Sequence, residues 1–338
     1  MTRWMVCCSL LVALPVQAEP RWTLRMATPA PEGTAWAREL KSFSREVEAG
    51  THGEVRMKWY LGGIAGDELQ IGERIKRDQL DGAGAGGMLC ERLAPSMRVL
   101  RLLGVFQSRA EAAYVMQRLT PSLEAEFAKS GYSLIGSAGL GPEVIFLRNP
   151  VHSLAELRKV RLWRWDLDVV AHMMSVEIGM QVVPLPVEQA ARAYDESRTD
   201  GFLAIPTAAL AFQWSTQARY LLDLRMGYLQ ACLILSNRAV DRLPPEHRDA
   251  IRTAAAKLQA RLEDIGREQD AALLGGLFAK QGLKVLVPSE SFRAEFWDAA
   301  RASRDRLGEK LVPKPLLDRV LAMLADFRAE HRKLESER

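Results

Sequence analysis

A chain of 338 residues, 48% hydrophobic and 26% charged, is long enough for about two globular domains and does not have the makeup of a disordered, collagen-like or coiled-coil protein. The net charge of +4 is small for this length, and the two signs are interspersed with no basic tract that would suggest a nucleic-acid partner.

The first eighteen residues, MTRWMVCCSLLVALPVQA, have the layout of a secretory leader. Arg3 gives the basic start, Met5 to Leu14 the apolar run, and Val16-Gln17-Ala18 a small-x-small cleavage site, with cleavage expected after about Ala18. The apolar run is roughly half of the ~20 residues that a membrane span needs. Cys7 and Cys8 lack the Leu-x-Ala/Gly context of a lipobox, so a lipid anchor is not expected. The chain is expected to be exported. Cys90 and Cys232 then remain. They could pair in an oxidising compartment, but one pair is no disulfide framework, and both are expected as small buried hydrophobes.

Strands and helices then alternate. Trp22 to Ala27 is a strand pattern, and Gly33 to Ala49 has helical spacing through Trp36, Leu40, Phe43 and Val47. Strand Glu54 to Tyr60, helix Asp67 to Arg77, strand Leu80 to Ala85 and helix Arg109 to Ser130 follow. Strands at Tyr132 to Ser137 and Val144 to Arg148 precede a second unit. That unit reads as strand Val160 to Trp163, helix Val169 to Ile178, strand Gln181 to Pro184, helix Glu188 to Asp195 and strand Thr199 to Leu203. Such alternation predicts α/β layers with mainly parallel sheets. After Leu235, Pro244-Pro245 opens a long helix to about Leu274, and a second runs from about Ser289 with a break near Val312-Pro313. Ala329 to Arg338 is expected as a frayed, solvated end. Two lobes around a cleft are the natural outcome, and a cleft suits a small ligand.

Little in the chain points to catalysis. GAGAGG, residues 82 to 87, satisfies G-x-G-x-x-G, but a dinucleotide fingerprint should leave a strand and open a helix, whereas these glycines lie within or just after a strand. A strand end that some backbone or ligand approaches closely is the better reading. His52, His152, His172, His247 and His331 lie at no zinc-ligand spacing, and no G-x-S-x-G elbow is present. Asp166 or Asp168 is expected to cap the helix that begins near Val169. The aromatic and amide residues at element ends are more informative: Trp163, Trp165, Gln213, Trp214 and Tyr220 in the second half, Trp36 and Met88 in the first.

In order and spacing, several segments together resemble the solute-binding proteins of TRAP (tripartite ATP-independent periplasmic) transporters, the dicarboxylate-receptor DctP-like family. They are LRMATPAPEGTAW, EAGTHGEVRMKWY, LGGIAGDELQIGERIKRDQLDGAGAGG, LRKVRLWRWDLD, IGMQVVPLPVEQAARAYDESRTDG and AIPTAALAFQWSTQARY, and the resemblance covers nearly the whole exported chain. It implies an α/β, two-lobed periplasmic binding protein fold (type II-like) with crossing hinge strands and long C-terminal helices. Lobe I would cover 19–143, completed by parts of 236–338. Lobe II would cover 144–235, and 236–338 would be a helical segment spanning and closing lobe I. The family's segment L-K-G-L-K-I-R ends in an arginine that clamps a ligand carboxylate. Laid on this chain without a gap, LRKVRLW puts Trp163 at that arginine; placing Arg161 there needs a deletion. W-x-W-(D/E)-x-D and the P-x-x-A-L-A-x-Q-W run from Pro206 to Trp214 resemble the subgroup associated with tetratricopeptide-repeat partner proteins, proposed to bind apolar ligands. Ser197 stands where the family's A-L-x-x-G-x-x-D-G motif has glycine, Gln189 where glutamate is common, and Asp200-Gly201 is retained.

The resemblance therefore implies a periplasmic receptor of an ion-gradient-driven uptake system. Its partners would be a small-molecule ligand, the small and large integral membrane subunits, and a tetratricopeptide-repeat protein. No cofactor, metal or catalytic residue is expected. Without a buried arginine a carboxylate in the cleft would lack its counter-charge, so the expected ligand has apolar or aromatic surface. Trp163, Trp165, Phe202 and Trp214 would contact it, Gln213 or Thr207 would orient it, and Trp36 and Met88 would face it from the first lobe. Arg164 is expected to point away from Trp163, into solvent or towards carboxylates. Arg161 is expected deeper in the fold or paired with a carboxylate. The alternatives are a secreted α/β enzyme acting on a small molecule, for which no nucleophile–base or metal site is found, and a sensing or recruitment protein of the same fold.

Overall fold

The computed structural model describes residues 19–336; the expected leader lies outside them. Strand β1 (Trp22–Ala27) leads to helix α1 (Ala35–Gly50), which starts where the Thr34 side chain accepts from the Ala37 amide and buries Leu40, Phe43 and Val47. β2 (Val55–Tyr60) follows, then α2 (Glu68–Lys76), opened by a capping box between Asp67 and Gln70. β3 (Gly82–Ala85), α3 (Met88–Leu93), a 3₁₀ segment (Pro95–Arg101) and α4 (Arg109–Lys129) complete the first half.

β4 is a single strand, Tyr132–Leu147, where two were expected. Its glycines produce register shifts at Leu134/Gly136 and Gly139/Gly141, and these bend the strand without ending it. After the short α5 (Leu154–Leu157), β5 covers Arg161–Trp165, starting one residue later and ending two later than the pattern suggested. α6 (Val169–Ile178) stops at Gly179, whose φ of 90° supplies the left-handed cap. β6 (Gln181–Leu185), α7 (Ala190–Asp195), β7 (Gly201–Ala204), α8 (Pro206–Ala211) and α9 (Trp214–Gln217) precede β8 (Tyr220–Ser236). The rest is α10 (Asn237–Asp241), α11 (Pro245–Ala272), α12 (Phe278–Lys280), β9 (Lys284–Leu286), α13 (Glu290–Leu307) and α14 (Lys314–Ser336). The last helix continues through Ser336, so the tail is not frayed from Ala329 as expected. Arg328 anchors it through Glu111 (2.7 Å) and the Val105 carbonyl (3.0 Å).

The strand order is β2-β1-β3-β8-β4-β7-β5-β6, with β9 added to β8. The outer pairs β1–β2, β1–β3, β5–β6 and β5–β7 are parallel, as the alternating elements predict. β8–β9 is parallel too, so most pairs are parallel as expected, but the central pairs β3–β8, β4–β8 and β4–β7 are antiparallel and make the sheet mixed. The two long strands run through both lobes. The last part of β8 lies between β3 and the first part of β4, and at their other ends β4 meets β7 and β8 meets β9. β4 and β8 are thus the crossing strands, and α11 spans the same distance. Its Ile251, Ala254 and Leu258 pack with α1, while Leu273 just beyond its end packs with Phe146 and Phe202. No described helix is long and apolar enough to cross a membrane.

Cys90 on α3 and Cys232 on β8 form a disulfide, so these residues are more than the small buried hydrophobes expected. The pairing follows from the Ala85↔Cys232 register of β3 against β8, which brings the start of α3 over the crossing strand. Cys90→Ser should cost about 2–4 kcal/mol, because the bridge closes a long loop in the unfolded chain. Urea midpoints with and without reductant should differ for the parent and coincide for the variant.

Candidate functional site

A cavity of about 880 Å³ lies between the two lobes, against the crossing strands and α11. Trp36 of α1 and Met88 of α3 line it from the first lobe, and Trp163, Trp165 and Trp214 from the second. Leu229 and Leu233 of β8 and Leu258 and Leu262 of α11 close it from behind. Its wall is therefore mainly apolar and aromatic.

Parallel pairing builds the aromatic wall. Trp163 is opposite Phe202 in the β5–β7 register and opposite Val183 in β5–β6. The Trp163 ring lies 4.7 Å from that of Trp214, and its Nε1–H donates to the Leu185 carbonyl at 3.0 Å. Trp214 stacks on Phe202 at 5.3 Å, and Phe202 on Tyr194 at 4.8 Å. Phe202 thus backs the wall and is fully buried. Thr207 is buried in α8 with its Oγ1 unpartnered, and Gln213 is exposed, in the left-handed conformation (φ 60°) that turns α8 into α9. Phe202, Thr207 and Gln213 are not among the lining residues, whereas Trp36, Met88, Trp163, Trp165 and Trp214 are.

Arg161 is at the far end of β5 from Trp165, outside the cavity lining. It makes a two-pronged ion pair with Asp200, both contacts 2.8 Å, so the shared face of residues 161 and 163 is resolved by displacement along the strand. Arg164 is 1% exposed and turned to the opposite face. Of the two directions expected for it, solvent is wrong and carboxylates are right. Its Nη1 donates to Glu143 (3.2 Å) and Asp168 (3.0 Å), and its Nη2 to Glu143 (3.3 Å). Asp168 also caps α6 by accepting from the Ala171 amide at 3.2 Å, and it pairs with Arg101. Arg101 lies 3.7 Å from Glu91. A buried network, Glu91–Arg101–Asp168–Arg164–Glu143, thus joins α3, the 3₁₀ segment, α6, β5 and β4.

Glu68 is a second buried carboxylate at the cavity. It accepts from the amides of Gly86 and Leu89, the latter at 2.9 Å. A Cβ on Gly86 would stand 2.9 Å from Glu68 Oε1. The close approach expected at GAGAGG therefore comes from a carboxylate of the chain itself, and from the Ile234 carbonyl, which a Cβ on Gly82 would meet at 2.3 Å. With these amides taken, the glycines form no phosphate cradle. Among the described residues, no group of three or more His, Cys, Asp or Glu is placed to hold a metal.

Burial sets the electrostatics. It pushes the Glu91 carboxyl up to about 8 against the pull of Arg101, and that of Glu68 up to about 7 despite the backbone donors. Burial would also raise Asp168, but Arg101 and Arg164 outweigh it and hold its carboxyl below the usual range. A carboxyl raised on folding holds its proton more tightly in the folded state. Its stabilising contribution is present at low pH and is lost as pH rises from the ordinary carboxyl value to the folded one. Stability should therefore fall between about pH 5 and about pH 8. Glu91→Gln should flatten that fall, as read from urea midpoints at either end; an unchanged slope would show that Glu91 is ionised throughout.

Only two signals along the chain hint at this network. One is Glu143 alone in the apolar run Val144–Leu147 that follows it, and the other is Arg164 between two tryptophans.

Comparison with known proteins fits this geometry. The profile of the DctP family, bacterial extracellular solute-binding protein family 7, matches residues 26–310. An uncharacterized protein of Haemophilus influenzae is 20% identical over 273 residues, covering 79% of this chain and 81% of its own. The sugar acid binding protein DctPAm of Advenella mimigardefordensis, solved with galactonate, superposes with a TM-score of 0.84 at 18% identity, covering 91% of this chain and 99% of its own. A TRAP periplasmic solute binding protein of Haemophilus influenzae, solved with bound L-gulonate, gives 0.82 at 16% identity, covering 90% and 99%. With its two-lobed fold and a family match over most of its length, the chain belongs to the DctP family of bacterial extracellular solute-binding proteins.

Proposed function

We propose that this receptor captures a small ligand with substantial apolar or aromatic surface and delivers it to the small and large integral membrane subunits of a TRAP uptake system. One observation carries the reading: the cavity wall is aromatic, and its one basic lining residue among those described, Arg164, is already shared by Glu143 and Asp168. Two similar structures hold the sugar acids galactonate and L-gulonate. An acid of that kind would find no unpaired cation here, and burying its carboxylate would be costly. Trp163, at the position of the family's arginine, offers a ring face, and its N–H is already given to Leu185. Closure would bend β4 and β8 where their register shifts. The leader would be removed after about Ala18, with lobes at 19–143 and 144–235 and with 236–338 closing the first. The W-x-W-D-x-D and P-x-x-A-L-A-x-Q-W segments support a tetratricopeptide-repeat partner, which co-purification from the native host would reveal.

Native mass spectrometry of gently purified protein, followed by extraction, tests the ligand class. An apolar or aromatic molecule is expected, and a retained sugar acid or small dicarboxylate would overturn the proposal. Trp165→Ala is the companion test. Trp165 lines the cavity but is only half-buried, so affinity for the retained molecule should fall about tenfold or more while stability changes by less than about 1 kcal/mol. Equal affinity would remove Trp165 from the site.

A further inference from the structure

β4, β8 and α11 run through both lobes, and one side chain ties two of them together. Arg109 is the first residue of α4. A cation at that end opposes the helix dipole, so other contacts must offset its placement. Its Nε and Nη2 donate to Asp270 of α11 at 3.1 and 2.6 Å, and its Nη1 donates to the Gly139 carbonyl of β4 at 2.7 Å. The Gly139 amide donates to Glu263 of α11 at 2.7 Å, and Glu263 lies 3.7 Å from Arg109 Nη1. Both backbone groups of Gly139 are thus held by side chains, at the residue where β4 shifts register. The ion pair is shielded from water: the Arg109 and Asp270 side chains are each 15% exposed. The guanidinium lies against two bare stretches of backbone, since a Cβ on Gly139 or on Gly266 of α11 would stand 2.8 Å from its Nη1. α4 is fixed in the first lobe by the buried Leu119, Leu123 and Phe127. Asp270 lies one turn before Leu273, which packs with Phe146 and Phe202 of the second lobe. Arg109, Glu263 and Asp270 all stand outside the cavity lining.

We propose that Arg109 is a positioning residue of the hinge: it holds β4 and α11 together where they cross between the lobes, so that the two bend as one element and the lobes swing along one path. Without it, β4 would bend at its register shift and α11 at a point of its own, and the lobes would twist as well as swing. Charge-assisted bonds from one planar guanidinium to a carboxylate and a carbonyl fix direction as well as distance, which suits such a joint. The inference rests on the bending of β4 and β8 proposed above and does not depend on the chemistry of the ligand.

Distances between paired spin labels test it, on the full exported chain freed of any retained molecule by unfolding and refolding. One pair spans the lobes, Ala49→Cys in α1 with Asp195→Cys in α7. The other lies within the first lobe, Ala49→Cys with Arg74→Cys in α2, and all three positions are exposed. In Arg109→Met the interlobe distance distribution should broaden by about half or more, while the pair within the lobe keeps its width. A purely structural role would lower the urea midpoint and leave the interlobe width unchanged. If the parent's interlobe pair is broader than the inner pair and the variant matches the parent, the clamp is overturned and the bending of β4 and β8 stands. If both pairs are equally narrow in parent and variant, the bending fails and takes the clamp with it. Equal broadening of both pairs would show that Arg109 holds the first lobe together, which also overturns the inference. Should Arg109→Met fold poorly, Gly266→Ala decides in its place. Alanine is favoured over glycine inside a helix, and its methyl group would take the place of the guanidinium. The same interlobe broadening is expected, and its absence overturns the inference.

Discussion

Trp163→Ala should lower stability by about 3–5 kcal/mol and abolish retention of the bound molecule. Trp163 is 3% exposed and packed between the Trp214 ring and the backbone of β6, so truncation opens a large void at the end of β5. The same void lies on the cavity wall, which is why stability and binding should fall together. Trp163→Phe separates the contributions. It keeps a ring against Trp214 but leaves the Leu185 carbonyl without its donor, for a loss of about 1–2 kcal/mol. Chemical denaturation and native mass spectrometry on both variants check this. A stability loss below about 1 kcal/mol for the alanine variant would show that the wall collapses around the gap.

The second large effect belongs to Arg164. Arg164→Met should cost about 3–5 kcal/mol, because it strips Glu143 of its bonded partner and leaves Asp168 to Arg101 alone. The stranded carboxylates would then take up protons, so the variant should recover part of its loss as pH falls. Adding Glu143→Leu should restore more than half of the stability, since a paired deletion leaves no buried unpaired charge at β4. Urea midpoints for the two variants at two pH values decide it. A single-variant cost below about 1 kcal/mol would mean that the network behaves like an exposed ion pair.

Local rules made part of this molecule legible. β1 and α6 have the bounds that their patterns predict, because one alternates cleanly and the other has an aspartate cap before it and Gly179 after it. Placing Trp163 on a pocket wall needed only strand alternation and the family's spacing. β8 escaped notice because Tyr220–Ser236 is buried on both faces for much of its length and shows no period of two. The ion network escaped for another reason. Glu91, Arg101, Glu143, Arg164 and Asp168 come from five elements, and Arg101 and Asp168 are 67 residues apart in the chain. No local pattern announces such a meeting. The Cys90–Cys232 bridge, with a separation of 142, is legible only once the β3–β8 register is known.

That bridge also decides what a broken chain would do. Every residue of β5, β6 and β7 lies between the two cysteines, so the ligand-facing lobe is a ring fastened at its base. A protease that cuts once anywhere inside the ring makes two fragments that stay covalently joined, with the base of the lobe held in register against β8. Damage of that kind leaves a nicked chain still held together until the bridge is reduced.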